Sequence, residues 1–439
     1  MKLENPLQTK SFRKRRARLA RALGSGVVVL PTAPERSRNA DSHYDYRWDS
    51  GFYYLTGFRE PEAVLVMVLD PEPRSILFCR EKNLEREIWD GFRYGPELAR
   101  DSFGFDEAHP YTELDARMPD LLADREALHT PVGFDAAWDQ RVAGWLNAVR
   151  AKVRSGVSAP EQIRDVRAAV NDMRLFKDED ELAVMRRAAE ISSAAHARAM
   201  RAAAPGKREY EIEAELIHEF CRNGARSPAY GSIVAAGANA CVLHYRENSA
   251  ELRKGDLMLI DAGCELASYA SDITRTFPIG ARFSAVQRDV YELVLAAQAA
   301  GIREVKPGAD FIDYHDAATR VLVQGLIDFK LCKGSVDKVL EDGSYRQFYM
   351  HRTGHWLGLD VHDAGDYMQK GKWRKLKPGM VLTVEPGCYI RPAKNVPKAF
   401  WNIGVRIEDD VLVTARGREV LTAACPKTVK EVEETVLGR

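Results

Sequence analysis

Residues 252–265, LRKGDLMLIDAGCE, align without a gap on residues 376–389, LKPGMVLTVEPGCY. In both copies a turn containing glycine (Gly255, Gly379) feeds an apolar strand, the strand ends in a carboxylate, and a glycine follows two residues later. The alignment sets Asp261 on Glu385, Gly263 on Gly387 and Cys264 on Cys388. Self-similarity of this kind marks a structural unit used more than once. It predicts a duplicated half-domain whose two strands bring matching carboxylates together about a pseudo-twofold axis. A chance match over so short a window is the competing reading.

At roughly 150 residues per domain, a chain of 439 residues divides into two or three units. The first part alternates a basic helix at 11–23, short apolar strands at 27–30, 63–69 and 75–79, and a further helical pattern at 139–154, which reads as a small α/β domain without a metal-ligand cluster. GVSAP (156–160) interrupts the pattern. After Phe176 a helix opens with Asp178 and Asp180 in its first turn, keeps Leu182, Met185, Ala189 and Ser192 on its inner face, and stops at Pro205-Gly206. Residues 1–176 and 177–439 are therefore expected as two domains. In the second, a helix at 209–223 ends at Gly224, and another runs from the Ser284–Gln287 capping box to Gly301, with strands and turns between and after them.

Lys plus Arg and Asp plus Glu are 64 each, so no net field recruits nucleic acid or an anionic membrane. The basic 13–21 segment reads as a solvated helix face, because Phe12, Arg16, Leu19, Ala20 and Leu23 fall at helical spacing. Arg15-Arg16 could open a twin-arginine export signal, but the apolar stretch after it is short and stops at Pro31. No run approaches the ~18 apolar residues of a membrane span. The seven cysteines form no CxxC pair, which predicts reduced thiols and a cytoplasmic protein.

Asp261 and Asp272 lie eleven residues apart, a spacing that lets a hairpin put both carboxylates on one side of a sheet. Taken alone, the two have plainer surface or turn roles. HRTGHWLGLDVHD (351–363) gathers three histidines and two glycines, the glycines permitting close backbone approach. Glu385 ends an apolar strand, and Glu408 interrupts another in GVRIEDDVLV, a costly place for a carboxylate without a positive partner. Arg406, two residues earlier, supplies the plain alternative of a salt bridge to Glu408. Four carboxylates and one imidazole, with no thiolate, suit Mn²⁺, Co²⁺ or Mg²⁺ more than structural Zn²⁺. Two such ions roughly 3.5–4 Å apart can share a water, acidify it and polarise a carbonyl, which is peptide or amide hydrolysis chemistry. Glu385 is assigned as the base that takes the water's proton and delivers it to the leaving amine.

At these residues the chain resembles the aminopeptidase P branch of the creatinase, prolidase and methionine aminopeptidase superfamily. The signatures are LIDAGCE (259–265), SDITRTFP (271–278), GHWLGLDVHD (354–363), TVEPG (383–387) and GVRIEDD (404–410). RNADSHYDYRWDSGFYYLTGF (38–58) and NDMRLFKDEDELAVMRRA (171–188) look like that family's N-terminal domain and interdomain helix, so the similarity spans the chain. The resemblance implies a small N-terminal α/β domain followed by a pita-bread α+β catalytic domain. It implies two Mn²⁺, with Co²⁺ or Zn²⁺ as substitutes, held by Asp261, Asp272, His355, Glu385 and Glu408, with Asp272 and Glu408 bridging. His244 and His362 become catalytic residues that help stabilise the tetrahedral intermediate, His351 lines a prolyl pocket, and Arg406 lies near the peptide. Asp41 and Trp89 match cleft-lining, substrate-binding positions that a neighbouring subunit of a homodimer or homotetramer can supply. The implied substrates are peptides with proline second, a bond whose tertiary amide and fixed φ call for a dedicated pocket. One departure is Arg352, where the family often has a small residue.

A prolidase restricted to Xaa-Pro dipeptides uses the same five donors. A metal-free, creatinase-like or purely binding paralogue keeps the fold but not the ligands, and here all five are present.

Overall fold

Val27–Pro31 and Val64–Val68 are buried along their whole lengths and pair antiparallel, with Val27 opposite Val68. A strand without solvent on either face has no reason to alternate, and these read as unbroken apolar runs. In this computed structural model, which describes residues 9–280 and 282–438, they belong to a six-stranded sheet. Its order is Glu107–Pro110, Arg74–Cys79, Val64–Val68, Val27–Pro31, Ala127–Thr130 and Gln162–Asp165. Met118 of the Leu114–Leu122 helix and Trp138 and Trp145 of the Ala136–Arg150 helix pack on it. Glu107–Pro110, Ala127–Thr130 and Gln162–Asp165 are too short a pattern to be read from sequence; the last is exposed throughout and is placed by parallel pairing with Ala127–Thr130.

The basic helix forms as Thr9–Leu23 with Arg13, Lys14, Arg18 and Arg21 on the expected solvated face, but Arg15 and Arg16 depart from it. Arg15 and Arg16 are each 4% exposed. Arg15 donates to the Tyr54 carbonyl at 3.3 Å, and Arg16 to those of Leu55 at 2.9 Å and Gly104 at 2.5 Å. Carbonyl acceptors make a buried guanidinium affordable, so these charges fasten the helix down.

The chain divides into two units, Met1–Arg174 and Leu175–Arg439. In the second, Glu179–Ala202 opens on a capping box between Asp178 and Glu181, and Leu182, Met185, Ala189 and Ser192 are all buried. This helix packs on Glu209–Arg222, and Ala285–Glu304 packs on Asp313–Asp328. Ser284 and Gln287 form the expected capping box, but the helix continues past Gly301 to Glu304. Gly301 is a packing point and not a stop: a Cβ there would lie 3.1 Å from both the Tyr314 carbonyl and Val384. None of the described helices is long and apolar enough to cross a membrane.

The two copies of the internal echo become equivalent strands. Leu257–Asp261 sits between Ile233–Ala236 and Thr274–Pro278 in one antiparallel sheet, and Val381–Val384 pairs antiparallel with Asp409–Thr414 in another. Gly255 and Gly379 precede them with φ of +88° and +89°. The register sets Asp261 opposite Thr274 and Val384 opposite Asp409. Each half therefore brings the carboxylate ending its first strand beside one just ahead of the paired strand: Asp261 with Asp272, and Glu385 with Glu408.

Candidate metal centre

The histidine segment is stitched to the second echo strand. The amides of Thr383 and Glu385 donate to the carbonyls of His355 (2.9 Å) and Thr353 (2.8 Å), and Leu357 donates to Val381 at 3.0 Å. Gly354 permits this approach, since a Cβ there would lie 2.0 Å from the Thr383 carbonyl oxygen. His355 is thereby carried to the carboxylates. Its Nε2 lies 3.5 Å from Asp272 Oδ2 and 3.7 Å from Glu385 Oε1. Donor atoms of Asp272, His355 and Glu408 all fall within 4.8 Å of one another.

Three observations fit this space to a divalent cation. His355 Nδ1 donates to the Trp356 carbonyl at 2.9 Å, which fixes the tautomer and leaves the Nε2 lone pair facing the carboxylates. Tyr230 Oη lies 2.6 Å from Asp261 Oδ1 and is in short contact with Asp272 Oδ1. One hydroxyl proton cannot serve two fully charged oxygens, and a cation between the carboxylates removes that conflict. Burial and neighbouring carboxylates push Glu385 up to about 8, and burial with the charge of the other carboxylates holds Asp272 and Glu408 well above the carboxylate range. Desolvated like charges resist ionising together unless positive charge joins them.

The nearest positive charge is already engaged. Arg406 Nη2 donates to Asp261 Oδ2 at 2.6 Å, Nη1 to the Tyr389 hydroxyl at 2.9 Å and Nε to Thr274 Oγ1 at 3.2 Å. This corrects the alternative in which Arg406 pairs with Glu408. The apolar run is not one strand: Ile403–Arg406 pairs with Gly387–Ile390, a new strand starts at Asp409, and Glu408 in the break accepts from Thr274 Oγ1 at 2.7 Å. Neutral His351 ends the chain of contacts. Its Nδ1 donates to the Arg352 carbonyl at 2.7 Å and its Nε2 meets the Tyr389 hydroxyl at 2.9 Å. Burial and Arg406 push its pKa down to about 3.

The donors line a cavity of about 670 Å³, and His244, His351, His362 and Arg406 line it too. His362 stacks edge-on to His355 at 4.3 Å between ring centroids, and burial together with His355 lowers its pKa. Asp41 and Trp89 stand apart from this list of lining residues, which all come from the second unit. Both are exposed, Trp89 at 83%, on the first unit. Sequence reasoning missed Tyr230, Thr274 and Tyr389. A tyrosine next to a glycine or a threonine in a strand carries no local signal of the carboxylate or arginine it meets.

Comparison with known proteins identifies the family. The profile of Metallopeptidase family M24 matches residues 183–415, and that of the Aminopeptidase P, N-terminal domain matches 12–129. The chain is 44% identical over 435 residues to the Xaa-Pro aminopeptidase of Escherichia coli (strain K12), with 98% of each chain covered. It is 32% identical over 426 residues to Xaa-Pro aminopeptidase 3 of Homo sapiens, covering 93% of this chain and 80% of that one. Among solved structures it resembles Pseudomonas aeruginosa aminopeptidase PepP with a TM-score of 0.97, 47% identity and 99% of both chains covered. Zinc-substituted E. coli aminopeptidase P in complex with product matches with a TM-score of 0.95 at 43% identity, over 98% of this chain and 99% of that one. The chain belongs to the Xaa-Pro aminopeptidase branch of metallopeptidase family M24, with an aminopeptidase P N-terminal domain ahead of a pita-bread catalytic domain.

Proposed function

We propose that the protein removes the N-terminal residue from peptides whose second residue is proline, using two divalent ions held by Asp261, Asp272, His355, Glu385 and Glu408. The observation that carries this reading is the convergence of Asp272, His355 and Glu408 on one space, with Glu385 beside His355 and Asp261 on the wall of the same peptide-sized cavity. Mn²⁺ suits the oxygen-rich set, with Co²⁺ or Zn²⁺ as substitutes. Bound there, the ions supply Lewis-acid polarisation of the scissile carbonyl and acidify water.

The chain's own residues do the rest. Glu385, on the cavity wall beside His355, takes the proton of the attacking water and passes it to the proline nitrogen. His244 and His362 line the cavity and offer ring N–H groups to the oxygen that gains charge. His351, fixed by Tyr389, and Arg406, fixed by Asp261, form a rigid wall for the proline ring. The catalytic part is residues 177–439, with 1–176 a separate domain; the division after Arg174 and the family match over 183–415 support this.

Asp41 and Trp89 contribute to substrate binding across a contact between copies in a homodimer or homotetramer. Supporting this, the Leu84–Asp90 helix buries none of its residues, and Leu84, Ile88 and Trp89 are 73%, 81% and 83% exposed, an apolar face that calls for a cover. A cytoplasmic location is supported by seven unbridged cysteines, all but Cys221 buried.

The test is a metal-restored assay on matched peptides with and without proline second, and on Xaa-Pro beside Xaa-Pro-Yaa. Release of Xaa only ahead of proline is expected. Turnover indifferent to proline rejects the specificity, and turnover confined to dipeptides replaces it with a prolidase.

A further inference from the structure

Three arginines line the cavity, and two are committed. Arg406 is held by Asp261, Tyr389 and Thr274, and Arg246 donates to the Gly231 carbonyl at 2.7 Å. The third, Arg352, is exposed at the rim. Among the described residues its guanidinium makes no hydrogen bond or ion pair. Its contact is with an aromatic face: its Cζ lies 5.5 Å from the centroid of Trp373. Trp373 in turn stacks on Phe311, with ring planes 24° apart and centroids at 6.4 Å. Asp316, on the Asp313–Asp328 helix, feels the charge of Arg352 but does not pair with it. His315, also on the cavity wall, is kept neutral by burial and by Arg352, its pKa pushed down to about 4.

A guanidinium resting on an aromatic face keeps its in-plane N–H edges free, and those edges match a carboxylate two bonds at a time. We infer that Arg352, braced by Trp373, is a carboxylate-binding subsite for the part of the peptide beyond proline, resting on the Xaa-Pro aminopeptidase reading above.

Reach supports the assignment. Arg352 precedes His355 by three residues, so their Cα atoms are at most roughly 11 Å apart. In an extended tripeptide the terminal carboxylate lies two residues past the scissile bond, roughly 7 Å along the chain. The same chemistry can come from two sources, the free C-terminus of a tripeptide or an acidic side chain at the third position. In an Xaa-Pro dipeptide the carboxylate sits one residue closer to the scissile bond, so this subsite favours the longer substrate.

The experiment compares kcat/KM for Xaa-Pro-Ala as free acid and as amide, and for amidated Xaa-Pro-Glu and Xaa-Pro-Gln. The metal-loaded wild type is run beside Arg352→Gln, which keeps the bulk over Trp373, and Arg352→Lys, which keeps the charge. The wild type is expected to prefer the carboxylate member of at least one pair by about tenfold, expressed in KM. The pair that shows the preference names the source. Arg352→Gln should bring that ratio close to one, and Arg352→Lys should retain part of it. A wild type indifferent in both pairs, or a preference that survives Arg352→Gln, overturns the inference. Either result leaves cleavage before proline standing, whereas absence of any Xaa-Pro turnover in the wild type counts against the functional reading itself.

Discussion

Lys177 and Asp363 form an ion pair at 3.0 Å with both side chains 1% exposed. Asp363 directly follows His362 and donates its amide to the Trp356 carbonyl at 2.9 Å, while the Lys177 amide donates to Gly379 at 2.9 Å. The pair thus ties the start of the catalytic unit to the loop bearing His355 and His362. At 3 Å and an effective dielectric near 20, the attraction is roughly 5 kcal/mol, and much of it is offset by desolvating both charges. Lys177→Met breaks this buried ion pair from one side, a change that costs about 3–5 kcal/mol. In a unit of roughly 250 residues, each kcal/mol moves Tm by about 2–4 °C, giving a fall of roughly 6–20 °C. Lys177→Met/Asp363→Leu removes both charges and should recover at least about half of that loss. Thermal melts of the metal-loaded wild type, both single variants and the double close the cycle. A Lys177→Met protein within about 1 kcal/mol of wild type, or a double variant as unstable as the singles summed, refutes the reasoning.

Glu385→Gln keeps an oxygen donor but removes the base, so metal content by elemental analysis should stay close to wild type while kcat falls by at least about 10²-fold; full turnover would remove Glu385 from its role. Tyr230→Phe deletes the hydroxyl between Asp261 and Asp272 and should weaken metal affinity by about 10–100-fold in a titration of metal-free protein, an unchanged affinity counting against that role. His196 Nε2 donates to the Ala262 carbonyl at 2.9 Å, and burial pushes its pKa down to about 4 from 6.5. The folded state then refuses a proton that the unfolded chain accepts below about pH 6.5. This stability is complete above that pH and falls as pH drops toward 4, by about 3 kcal/mol in all. Urea unfolding at pH 7.5 and 4.5 should show a shallower loss in His196→Gln than in wild type, and equal losses would rule the histidine out.

The candidate donors were legible because each sits in a short local string whose shape the backbone dictates. A glycine turn, an apolar strand and a terminal carboxylate, written twice, already made Asp261 and Glu385 equivalent, and the strand register placed Asp272 and Glu408 beside them in matching fashion. The capping boxes at Asp178 and Ser284 were legible for the same reason, since a cap is satisfied within one turn.

Tertiary structure alone decided the partners. Arg406 lies two residues from Glu408 in sequence yet serves Asp261, because the strand breaks after Arg406 and its side chain points across to Leu257–Asp261. Arg15 and Arg16 belong to a basic segment yet are buried, because carbonyls distant in sequence complete their hydrogen bonds. Tyr230, and Arg352 on its tryptophan, gain meaning only from what the fold sets against them. Ligand chemistry is a property of residue type and spacing, whereas the pairing of charges depends on which strands lie side by side, and that is settled only when the core closes.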